Sequence, residues 1–167
     1  MNELKEKLRT EALRIEEDTE FSAKGHYNAA ERWSRYHLWI GIPSAVISAL
    51  GGCAAFNDYP NIAGGLALFS TALITILTFL KPSERSEAHK SVADQFLALR
   101  NKTRLFREIE LLESSENECV KEKLYEFASL RDDLNQTAPK IVTKDYERAK
   151  KEIEAGFATY KVDKEAK

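Results

Sequence analysis

Three histidines, His26, His37 and His89, are the side chains of this sequence best suited to move a proton or bind a metal near neutral pH. None has HExxH spacing, and none stands in a Cys or carboxylate cluster of the kind that holds zinc or iron. His89 with Glu84, Glu87 and Asp94 is the nearest approach to a constellation, and on a helix such a set reads as a charged outer face. There is no GxSxG elbow, no phosphate-cradling glycine loop and no CxxC pair. Cys53 and Cys119 make no disulfide framework and fit a reducing compartment. The sequence therefore predicts a chain that is not an enzyme and holds no metal or cofactor.

Two other groups of side chains could bind rather than react. Arg85, Lys90, Arg100, Lys102, Arg104 and Arg107 fall on one predicted helix, and guanidinium groups grip phosphate through paired hydrogen bonds. Arg85, Lys90, Arg100 and Arg104 are thus candidates for contact with a nucleotide second messenger, or with anionic lipid at a membrane surface. With a formal net charge of -2, the chain lacks the clustered basic surplus of a nucleic-acid binder. The hydroxyls of Ser44, Ser48, Thr71, Thr75 and Thr78 recur at helical spacing and could line a water-filled path. Alternatively they bond back to their own helix or glue neighbouring helices together.

Both hydroxyl stripes lie in two uncharged runs of nineteen residues, 38–56 and 62–80, parted by the loop 57–61, Asn-Asp-Tyr-Pro-Asn. About twenty apolar residues in a helix cross a bilayer's hydrocarbon core. The pair is predicted to be a transmembrane hairpin, because about 124 remaining residues in one-faced amphipathic helices cannot bury it on every side. Lys24, Arg32 and Arg35 precede it and Lys81, Arg85 and Lys90 follow, whereas the loop has no basic residue, which predicts both termini in the cytoplasm. Trp33, Tyr36, Trp39 and Tyr59 supply an interfacial aromatic belt. Gly41, Ala45, Ala49 and Gly52 in the first span, with Ala63 and Ala67 in the second, are candidate helix-packing positions, since small side chains let helices approach closely in lipid. Pro43, one turn in, predicts a kink.

The flanks read as cytoplasmic helices, 1–37 and 81–167. Leu4, Leu8, Ala12, Ile15 and Thr19 mark one face, followed by the acidic cluster Glu16, Glu17, Asp18 and Glu20, which reads as solvated. Gly25 suggests a break. Beyond the hairpin, Ala88, Val92, Phe96, Leu99, Thr103, Phe106 and Ile109 alternate at four and three, a coiled-coil spacing. Ser115 and Glu118 form a capping box before Val120, Leu124, Phe127 and Leu134, with Leu130 or Arg131 between the last two. A last helix from Thr143 presents Tyr146, Ala149, Ile153, Phe157 and Tyr160, ahead of a frayed 161–167. The predicted fold class is an all-α membrane protein: a two-helix hairpin with long cytoplasmic helices forming a helical bundle.

The stretches Ser22-Ala23-Lys24-Gly25-His26-Tyr27-Asn28-Ala29-Ala30-Glu31-Arg32-Trp33, Leu38-Trp39-Ile40-Gly41-Ile42-Pro43, and Phe79-Leu80-Lys81-Pro82-Ser83-Glu84-Arg85 through Ala88-His89-Lys90 to Leu99-Arg100-Asn101 resemble the SLATT family. That family comprises two-transmembrane effector domains associated with SMODS nucleotidyltransferases and SLOG sensors in bacterial conflict systems. The resemblance implies an inner-membrane effector that forms a pore or disrupts the membrane in antiviral defence. Its implied partners are the lipid bilayer, further copies of itself, and a trigger: a nucleotide second messenger or a sensor, nucleotidyltransferase or reverse transcriptase encoded nearby. A non-conducting membrane-anchored scaffold is the rival expectation. The family carries no catalytic residues over to this chain.

Overall fold

A computed structural model describes residues 3–113 and 117–157. Among them every regular element is helical, with no strand. Helix α1 runs unbroken from Glu3–Phe56, α2 from Pro60–Leu80, and α3 from Pro82–Leu105. A π turn, Phe106–Glu110, and a last α turn, Leu111–Glu113, extend α3; α4 spans Asn117–Thr137 and α5 Thr143–Glu154. Ser115, Tyr160 and 161–167 lie outside the described residues, so the predicted capping box and C-terminal fraying do too.

Gly25 does not break α1. A glycine costs a helix about 1 kcal/mol relative to alanine, but here it admits a close neighbour: a Cβ at this position would stand 2.9 Å from Ile141 Cδ1. Pro43 likewise lies inside the helix without ending it. The α1–α2 turn is short because Asp58 takes a left-handed φ of 60°, which Asp tolerates better than most residues. Pro60 then starts α2 in a position where its missing N–H costs nothing. Lys81, also left-handed, caps α2 by donating its N–H to Leu77 O, and Pro82 opens α3 at once.

The chain forms two compact units: one from residues 1–29 with 88–167, the other from 30–87. In the first, Leu8, Ala12, Ile15, Leu99, Phe106, Leu111, Val120, Leu124 and Phe127 make the core, with Leu4 and Leu134 against it. Phe106 meets Phe127 edge to face, centroids 5.6 Å apart. The α1 and α4 faces are those the spacing predicts. The α3 face differs: Ala88 is exposed and His89 buried, and Ile109 is exposed while Leu111 is fully covered. The cause is the π turn, which adds one residue between Phe106 and the next inward position.

Helix α5 also turns away from its predicted face. Asp145 and Ala149 are buried, whereas Tyr146 and Phe157 are exposed. Asn28 donates to the Asp145 carbonyl at 3.2 Å and Lys24 pairs with Glu152 at 3.1 Å, so polar contacts with α1 set its rotation. The acidic cluster on α1 is not a free solvated face either. Arg107 grips Glu16 with two bonds of 2.6 and 3.2 Å, Arg100 reaches Glu20 at 3.2 Å, and Arg131 reaches Asp18 at 3.4 Å.

Candidate functional site

Two of the helices, α1 and α2, are long and apolar enough to cross a membrane. The seam between α1 and α2 is built from small residues at alternating three and four. Gly41 lies close to Leu77, and a Cβ on Gly51 would meet Leu66 Cβ at 3.3 Å and the Ala63 carbonyl oxygen at 3.7 Å. Between them, Ser70 is buried; it donates to Ser44 O at 3.0 Å and lies 2.5 Å from the Ser48 hydroxyl. Ser44 itself is buried and donates to Gly41 O at 2.8 Å. A hydroxyl shared across two helices holds them in register where no water competes for it.

The sequence-derived positions divide accordingly. Gly41, Ala63 and Ala67 adjoin the seam, but Ala45 and Ala49 are exposed, and a Cβ on Gly52 would meet nothing within 4 Å. The seam takes Gly51 instead, because it alternates three and four and so crosses between the two four-spaced ridges. Gly51 and Ser70 were not legible as contacts from spacing alone. Of the candidate pore-lining residues, Ser44 and Ser48 are spent in the seam. Thr71, Thr75 and Thr78 are exposed, each donating to the carbonyl four residues earlier at 2.8 to 2.9 Å.

Beside the seam runs an open groove of about 480 Å³, lined by Gly51, Gly52, Ala55, Gly64, Ala67 and Thr71 among others. Gly52 and Gly64 form part of this unfilled wall. Replacing Gly51 with Leu is expected to force α1 and α2 apart. In a chain with Cys53→Ser and Cys119→Ser, a Ser48→Cys/Ser70→Cys pair should crosslink readily under oxidation, and adding Gly51→Leu should abolish the crosslink. An equally fast crosslink in both would show that the seam does not depend on close approach.

The candidate phosphate contacts do not form one site. Arg100 is engaged by Glu20, Lys90 is exposed, and Arg85 lies over the Trp33 ring. Within the first unit, a pair that the sequence did not bring together lies buried: His26 Nδ1 is 3.0 Å from His89 Nδ1. Phe96 stacks on His26 at 5.8 Å. Burial, and then the neighbouring His89, lower the His26 pKa to about 4. One residue on, Tyr27 donates to Asp94 at 2.5 Å, and burial together with that carboxylate pushes the phenol up to about 12. Among the described residues no group of three or more His, Cys, Asp or Glu side chains could hold a metal ion. Compared with protein-family models, curated proteins and solved structures, the chain matches none.

Proposed function

We propose that this chain is a membrane effector. Its hairpin spans a bilayer with both termini on the basic, cytoplasmic side, the remaining helices form a bundle there, and several copies assemble to form or open a pore. Setting and trigger follow the family it resembles: the bacterial inner membrane, antiviral defence, and a nucleotide or partner signal. The observation that supports this most is the bare apolar girth of the hairpin. Trp39, Phe56, Leu68 and Phe79 are 78%, 92%, 76% and 81% exposed. Water would penalise such a surface and lipid would not.

Two helices cannot enclose an aqueous path, so conduction requires further copies. The groove along Gly51, Gly52 and Gly64 suits a neighbouring helix at short range, and Thr71, Thr75 and Thr78 would then supply the polar wall. A non-conducting scaffold is favoured instead by one fact: all three threonine hydroxyls already donate within their own helix. Potential-sensitive dye in cells expressing the chain with its trigger separates the two. Depolarisation is expected, and Gly52→Leu, which fills the groove without touching the seam, should slow it about tenfold or more. Growth arrest with unchanged potential would overturn the pore.

A further inference from the structure

At the charged end of the hairpin unit, residues far apart in sequence converge on one indole. Arg32 Cζ lies 5.1 Å from the Trp33 ring centroid and 5.9 Å from that of Tyr36, and Arg85 Cζ lies 4.9 Å from Trp33. Trp33 and Tyr36 meet edge to face at 5.7 Å. Ser86 donates to the Ala30 carbonyl at 2.8 Å, which holds α3 against α1 at this level. Cation–π attraction acts through the charge and face of a guanidinium and uses none of its N–H donors. Two such groups around one ring therefore present planar forks suited to a phosphate.

The same stripe of α1 continues into an apolar slot. Arg32, Tyr36, Trp39 and Pro43 follow at four, three and four, hence on one helix face. Leu38, Trp39, Ile42 and Pro43 line a cavity of about 270 Å³ with almost no polar wall. A paired cation at one end and a hydrocarbon-sized slot about two turns further along match the two halves of a phospholipid. A soluble nucleotide has no use for the slot.

We infer that this face is a lipid site: Arg32 and Arg85 take the phosphate of an anionic headgroup, Trp33 holds both guanidinium groups in place, and the Leu38–Pro43 slot takes the start of an acyl chain. The inference rests on the membrane-spanning reading above, and its test separates the two. The full chain in detergent micelles is mixed with phosphatidylglycerol, phosphatidylcholine or inorganic phosphate, and retained lipid is counted by native mass spectrometry. Phosphatidylglycerol should be retained over phosphatidylcholine. Arg32→Gln and Arg85→Gln should each weaken retention about fivefold. Arg35→Gln removes the same charge from a residue whose partner is Glu31, and it should change retention by less than about twofold. Ile42→Trp, which fills the slot, should also weaken it.

Equal losses in all three arginine variants would reduce the effect to general charge attraction and overturn the site. Displacement of the lipid by millimolar inorganic phosphate would make it a soluble-anion site and overturn it likewise. A chain that needs detergent yet retains no phosphatidylglycerol sinks this inference alone. One that stays dispersed without detergent sinks the membrane reading with it.

Discussion

Arg107→Ala is expected to destabilise the first unit by about 3–5 kcal/mol, the cost of leaving a largely buried carboxylate without its partner. Arg107 and Glu16 side chains are only 11% and 12% exposed, and they meet through a two-bond fork. Hydrogen bonding to Glu16 raises the Arg107 pKa further, so the guanidinium stays charged at any working pH. The π turn that carries Arg107 sets Phe106 in the core and the next residue against α1. Loss of the pair should therefore loosen the core around Phe106 and Phe127 together. Native-state hydrogen exchange of those amides, in the full chain in micelles, would report the change. The double variant Glu16→Met/Arg107→Met should recover most of the loss, because an apolar pair needs no compensating charge. A single-variant loss below about 1 kcal/mol would mean the fork is solvated like an ordinary surface pair.

Acid is expected to weaken the same unit well before its carboxylates titrate. An unfolded histidine binds its proton near pH 6.5, and folded His26 does so only at about 4. Between those values the unfolded chain carries the extra proton, so stability falls as pH falls. The contribution is complete above about pH 6.5 and lost below about 4, with about 2 kcal/mol gone by pH 5 and about 3 in full. The groups around the ring explain the direction. His89 of α3 faces it at 3.0 Å, Phe96 covers it, and Asp94 is occupied by Tyr27. From α5, Asp145 offers its backbone carbonyl, to Asn28. A protonated His26 would thus gain no carboxylate among these contacts. Hydrogen exchange between pH 7.5 and 5 should show the loss in the wild-type chain and a flatter profile in His26→Leu. A wild-type profile that is flat over that range would contradict the burial of the pair.

Much of the secondary structure is legible in the residues alone, since it follows from local period. Two uncharged nineteen-residue runs become the apolar end of α1 and the whole length of α2, and the threes and fours of Leu8, Ala12 and Ile15 or Val120, Leu124 and Phe127 become core faces. Charge patterns were read less well. Glu16, Asp18 and Glu20 look solvated until arginines from α3 and α4 arrive beside them, and partners 80 to 113 residues away leave no local trace. Helix rotation and register were likewise decided in three dimensions. A π turn adds one residue and moves burial from Ile109 to Leu111, and a three–four seam passes over Gly52 to choose Gly51. Period tells which side of a helix is apolar, because each residue advances by a fixed angle. Which residue on that side is touched depends on the shape of whatever packs there, and for His26 with His89, or Trp33 between two arginines, only the folded chain supplies it.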